Sequence, residues 1–183
     1  TTDGSKPSGV QLTEELTRVA GDLGRSLARL HDGGQVLGGV GPASVILRAG
    51  DGAVVLADFR CSHTSSLALD KARDLVELEA VLLRLGGDAA GSRGEQERGQ
   101  EQREAEDAGL ARAMFERVLA TYRSSSRFWS ATHNKLPEAR AKLLQQQQQQ
   151  QQQANNNKRS KLASEPAATD NGNGLVSAAP LAG

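Results

Sequence analysis

Residues 36–48 read VLGGVGPASVILR, and residues 55–60 read VLADFR. Glycines in the first stretch leave backbone amides bare, which lets a loop approach an anion, and the Asp58 carboxylate is a candidate cation ligand. The phosphate-binding patterns fail in detail. A P-loop closes on Gly-Lys-Ser/Thr, and a dinucleotide fingerprint needs a third glycine opening a helix, whereas Gly39-Val40-Gly41 runs through Pro42 into a strand. Taken by itself the loop reads as a turn. His31, His63 and His133 are far apart, and Cys61 and His63 are closer than the ligands of a zinc knuckle. The hydroxyls of Ser62, Thr64, Ser65 and Ser66 have no base or orienting acid at a triad spacing. All of these are read as surface or packed side chains.

The elements that must position the loop are legible from apolar periodicity. Leu12, Leu16, Val19, Leu23, Leu27 and Leu30 recur at three- and four-residue steps and predict an amphipathic helix, opened by a capping box of Ser8 and Gln11 and closed at Asp32-Gly33-Gly34. A short apolar piece, Val36-Leu37, precedes the glycine loop. Residues 44–48 and 53–59 are β-branched and apolar around Ala49-Gly50-Asp51-Gly52, which predicts a hairpin with both strands buried. A second helix follows from Asp70 as N-cap, with Ala72, Leu75, Leu78, Leu82 and Leu85 inward and Gly86-Gly87 at its end. Residues 88–107 turn to Gly, Glu, Gln and Arg, a composition too polar to offset its ordering entropy, and are read as a mobile low-complexity insertion. Leu110, Met114, Val118 and Tyr122 mark a third helix, Phe128 and Trp129 dock on the core, and a short fourth helix follows Pro137. From Gln145 to residue 183 a glutamine run gives way to an Asn-, Ala-, Pro- and Gly-rich tail, expected to be disordered or to self-associate.

The chain has 183 residues, enough for one domain with a modest core, taken here as residues 1–144. Lys plus Arg and Asp plus Glu both number 22, so no global field draws the chain to nucleic acid or membrane. One cysteine excludes an internal disulfide framework, and no apolar stretch approaches about 18 residues, so no membrane span is expected. A reducing compartment, cytoplasmic or nuclear, is the expected setting. Thr1 opens the sequence without methionine or a basic-plus-apolar leader, which fits a start removed or never captured.

The order of parts carries more than any single residue: helix, Leu30-His31-Asp32, short strand, glycine loop, hairpin, Asp58-Phe59, helix. A protein kinase uses this order in its C-terminal lobe. LHDGGQVLGGVGPASVILR at 30–48, VVLADFRCSHTSSLALDKARDLVELE at 54–79 and FERVLATYRSSSRFWSATHNKLPEARAK at 115–142 resemble the C-terminal lobe of the small atypical serine/threonine kinase of the KEOPS complex, the PRPK family. The resemblance implies an α+β, mostly helical, kinase-like lobe with a short β-hairpin, and ATP and Mg as the family's cofactors.

The departures fall where the chemistry is expected. Leu37-Gly38-Gly39 stands at the family's His-Gly-Asp, so Gly39 occupies the position of the carboxylate that would take the substrate hydroxyl proton. Ser44 stands at the Asn that helps hold magnesium, and Asp58-Phe59-Arg60 replaces Asp-Phe-Gly. Asp58 is left as a metal ligand, or as an ordinary acceptor for nearby amides. Nothing resembles the Gly-rich strand loop or strand lysine of an N-terminal lobe. With base, ligand and nucleotide roof missing, a pseudokinase is expected. The rival expectation is a fragment of an active ATP-dependent kinase or ATPase whose N-terminal lobe lies upstream. A decayed product without a stable fold is the third.

In the family the C-terminal lobe contacts the large KEOPS transferase subunit, which acts in threonylcarbamoyl adenosine modification of tRNA, so a lobe without catalysis is expected to keep that partner. Arg112, Arg117, Arg123, Arg127, Lys135, Arg140 and Lys142, opposed in this segment by Glu116 and Glu138, form a candidate contact strip for that partner or for tRNA. The alternative is an ordinary solvated helix face. Lys158-Arg159-Ser160-Lys161 reads either as a displaced remnant of the family's basic tail or as a nuclear-import-like cluster.

Overall fold

A computed structural model describes residues 12–88 and 97–163. The fold is α+β and mostly helical. Four helices, α1 (Glu14–Asp32), α2 (Ala68–Asp88), α3 (Glu97–Ser125) and α4 (Trp129–Ala163), are joined by short strands between α1 and α2. The strands form two antiparallel pairs. β1 (Gln35–Val36) pairs with β4 (His63–Thr64), and β2 (Val45–Leu47) pairs with β3 (Val54–Leu56) in the register Val45 to Leu56.

Thr13 caps α1, its hydroxyl accepting from the Leu16 N–H at 3.3 Å, with Glu14 and Glu15 placed favourably at the positive end of the helix dipole. The predicted capping pair Ser8 and Gln11 lies outside the described residues. At the other end Gly34 takes φ +78°, the left-handed turn that glycine adopts without steric cost. Val19, Leu23 and Leu27 are buried as the periodicity predicts, each aliphatic side chain contributing about 1.5–3 kcal/mol when fully withdrawn from water. Leu23 and Leu27 share one core with Ala72, Leu75 and Leu78 of α2 and with Val118 and Tyr122 of α3. Gly24 sits where α1 meets α3 most closely: a Cβ there would lie 2.5 Å from the Val118 carbonyl oxygen.

Several expectations are corrected. α2 starts at Ala68 rather than after Asp70, and it continues through Gly86-Gly87 to Asp88. Asp70 instead accepts from the Ser65 hydroxyl at 2.6 Å. The hairpin forms where predicted, but its strands are not buried, since Ile46 is 50 % and Leu47 52 % exposed. Of the stretch read as a mobile insertion, Glu97 onward belongs to α3, because Glu, Gln, Arg and Ala are strong helix formers that extend the helix nucleated by its packed half. The buried stripe of α3 is Ala111, Phe115, Val118 and Tyr122, with Leu110 and Met114 only half-buried.

α4 begins at Trp129, eight residues before Pro137, which lies inside the helix. Trp129 packs edge-on to Tyr122 at 6.1 Å between ring centroids, while Phe128 stays 44 % exposed. The expected disorder is corrected from Gln145 to Ala163, where the glutamine run is helical within α4; the rest of the tail, residues 164–183, lies outside the described residues. Glutamine carries a good helix propensity, so the turns already formed at Trp129–Leu144 extend through it at little cost. The chain divides into two compact units between Gln145 and Gln146.

Candidate functional site

The loop after β1 is held by carboxylates from α2. Asp74 is buried and accepts from the N–H groups of Leu37 at 2.6 Å and Gly38 at 3.0 Å. One turn along the same face, Glu77 accepts from the Val40 N–H at 2.9 Å and from Arg73 Nε at 3.0 Å. The Ser44 hydroxyl takes the Gly41 N–H at 2.9 Å. The amides of Leu37, Gly38, Val40 and Gly41 are therefore engaged by the protein's own oxygens, and the loop is a clamped turn.

His31, at the end of α1, completes the clamp. Its Nε2 lies 3.1 Å from Asp74 Oδ2, and its Nδ1 lies 2.9 Å from the Tyr122 hydroxyl. The carboxylate only accepts, so Nε2 carries the hydrogen, and in the neutral ring Nδ1 accepts from the phenol. Burial pushes the Tyr122 phenol up, with Asp32 and Asp74 adding to the rise, which keeps it a donor. Asp74 and Tyr122 were not singled out as site residues from sequence. The available signal was a carboxylate at position 74 inside the apolar stripe of Ala72, Leu75 and Leu78.

The three positions singled out by the resemblance differ in character. Gly39 offers no side chain, and a Cβ built on it would find its nearest neighbour at 3.8 Å. Ser44 is fully buried, its hydroxyl turned back on the loop. Asp58 is the one non-glycine residue with positive φ among the described residues, at φ 57° and ψ 58°. Such backbone strain gathers at functional positions, and aspartate tolerates it better than most residues. The exposed Arg60 then takes the carboxylate in a fork, Nε to Oδ1 at 2.6 Å and Nη2 to Oδ2 at 3.0 Å. That Arg60 hydrogen bond, aided by the guanidinium charge and opposed by burial, holds Asp58 below the usual carboxylate range.

This donor set does not fit magnesium. A hard dication needs several free oxygens around it, yet both Asp58 oxygens are bound by a cation, the Ser44 hydroxyl is occupied, and Gly39 contributes none. Among the described residues no three His, Cys, Asp or Glu side chains are grouped to hold a metal ion.

The predicted basic strip is broken up by carboxylates from other elements as well as its own. Arg140 forks onto Glu79 of α2 at 3.0 and 3.1 Å, and Arg127 pairs with Asp32 of α1 at 3.4 Å. Lys135 and Lys142 share Glu138 at 2.9 and 3.0 Å. Arg112, Arg117 and Arg123 remain exposed on α3 without an ion pair among the described residues. Apolar exposure is concentrated elsewhere, at Ile46, Leu47 and Val55 of the hairpin and at Phe59 and Leu67.

No protein-family model and no curated protein matches the chain. Among the described residues no helix is long and apolar enough to cross a membrane.

Proposed function

We propose that the chain is a catalytically degraded, kinase-like C-terminal lobe resembling the small KEOPS-complex kinase, acting as a partner-binding module rather than as a phosphoryl-transfer enzyme. The observation that carries this reading is the capture of Asp58 by Arg60. The carboxylate that would hold magnesium is spent on an internal ion pair, and the residue that would take the substrate proton is Gly39. Phosphoryl transfer rests on positioning and on charge neutralisation by metal, so both losses strike the same step.

The scaffold around the missing chemistry supports a lobe kept for its shape. Asp74 and Glu77 grip the loop, and the four helices carry one core. In this reading the partner is the large KEOPS transferase subunit, and ATP and Mg are not productively bound. The unpaired Arg112, Arg117 and Arg123 are the part of the basic strip left to meet tRNA or an acidic partner.

Co-expression of the full chain with that transferase subunit, followed by size-exclusion chromatography, tests the reading. Co-elution is the expected result, and separate elution overturns it. Retention of the strained left-handed backbone at Asp58 favours a second reading, residual nucleotide chemistry. Magnesium-dependent ATP turnover that Asp58→Ala abolishes would decide for that alternative.

A further inference from the structure

We propose that the glutamine segment of α4 is a homotypic contact surface, whose partner is the same helix of a second copy of this chain. The proposal is independent of the kinase-like reading. Gln146 to Gln153 are consecutive, helical and exposed, and none of their side chains makes a hydrogen bond or ion pair among the described residues. Helices of globular proteins draw most of their stability from a packed face, and among the described residues nothing covers these side chains.

The chemistry of the surface selects its occupant. A carboxamide offers two N–H donors and one carbonyl acceptor, so a row of glutamines is complementary to another row of glutamines. An apolar partner would strip water from these amides without replacing its hydrogen bonds, and a charged partner would lose hydration to meet neutral groups. From Leu143 to Asn157 no side chain is charged, so nothing repels an identical helix laid alongside. A single amide pair contributes little against water, about 0.5–1.5 kcal/mol, and association requires many pairs in parallel.

The same uniformity has a structural cost. Partner helices normally fix their alignment through differing side chains, such as one buried polar residue among apolar ones. Here a slide of one residue exchanges glutamine for glutamine, and every helix face is alike. Association without a fixed register follows, so the assemblies are mixed in size.

Sedimentation velocity on the full chain, with circular dichroism on the same samples, tests this. One variant carries Gln146→Glu, Gln148→Glu, Gln151→Glu and Gln153→Glu, and a second carries lysine at the same four positions. Both residues keep a helix propensity close to glutamine's, and these positions cover opposite faces. The unaltered chain is expected to show a roughly twofold or larger rise in weight-average mass over about a hundredfold range of concentration, with a broad distribution and unchanged helix signal. Each charged variant alone stays monomeric, and mixing the two restores association. A monomeric unaltered chain, association that survives in the glutamate variant, failure of mixing to restore it, or a shift to a β-type spectrum would each overturn the proposal.

Discussion

Nε2 of His31 lies 3.1 Å from Oδ2 of Asp74, with both side chains sealed from solvent. This contact ties the end of α1 to the middle of α2, and the same carboxylate holds the main chain at Leu37 and Gly38. Tyr122 extends the chain of hydrogen bonds into α3. Three helices and the loop thus share one buried polar knot, which must be fully satisfied to be tolerated in an apolar core.

Replacing Asp74 with alanine strands two backbone N–H groups and one imidazole N–H at once. Loss of one partner of a buried charged network costs about 3–5 kcal/mol, so Asp74→Ala is expected to shift the urea midpoint strongly downward or prevent folding. Tyr122→Phe leaves only His31 Nδ1 without a donor and is expected to cost about 1–3 kcal/mol by the same titration. A smaller effect for Asp74→Ala than for Tyr122→Phe would contradict the clamp.

Gly24→Ala sets two effects against each other. Alanine gains about 1 kcal/mol over glycine in a helix interior, but its Cβ would sit 2.5 Å from the Val118 carbonyl oxygen, a backbone atom that moves only with α3. Overpacking of this kind costs about 1–3 kcal/mol and outweighs the gain. Thermal unfolding should show a lower midpoint for Gly24→Ala, whereas Gly21→Ala, with no contact closer than 3.7 Å, should be neutral or stabilising.

Asp32 links α1 to the turn before α4. Burial raises its pKa, but the Arg127 N–H, the Ser126 hydroxyl and the Arg127 guanidinium outweigh burial and hold the carboxyl below its ordinary value. A depressed folded-state pKa stabilises the fold above the unfolded value, about 3.9, and that contribution is lost as pH falls through the folded value. The stability difference between the unaltered chain and Asp32→Asn is expected to be constant above about pH 5 and to narrow as the medium is acidified below about pH 4. Chemical denaturation across that range checks it, and a gap that widens on acidification would refute the assignment.

The loop glycines differ in what they tolerate. Gly38 has φ +70°, and an alanine Cβ there would lie 2.3 Å from the Cys61 carbonyl oxygen, so Gly38→Ala is expected to destabilise by more than about 1 kcal/mol. Gly39→Asp meets ordinary contact distances and is expected to fold. Combined with Arg60→Gly it sets two carboxylates free, and manganese-induced NMR broadening around residues 57–61 is expected in the double variant. Broadening of equal strength in the unaltered chain would show that Arg60 does not block Asp58.

The stripe Val19, Leu23 and Leu27 and the hairpin around Gly50 were legible because local periodicity and turn chemistry determine them. In α3 Val118 and Tyr122 were read correctly, but Ala111 and Phe115 take the buried places expected for Leu110 and Met114, a choice that only the neighbouring helices decide. Pairing of β1 with β4 had no local signal, since two-residue strands show no alternation. At the site, Gly39, Ser44 and Asp58 could be pointed to by position. The Asp74 clamp and the pairing of Arg140 with Glu79 join residues distant in sequence, and no spacing rule announces them.

Because Asp74 grips the main-chain N–H groups of Leu37 and Gly38, its hold on the loop uses no side chain at position 39. A substitution at Gly39 can therefore change what the loop displays while the carboxylate clamp beneath it stays in place. Frame and displayed side chain are separable traits in a loop built this way.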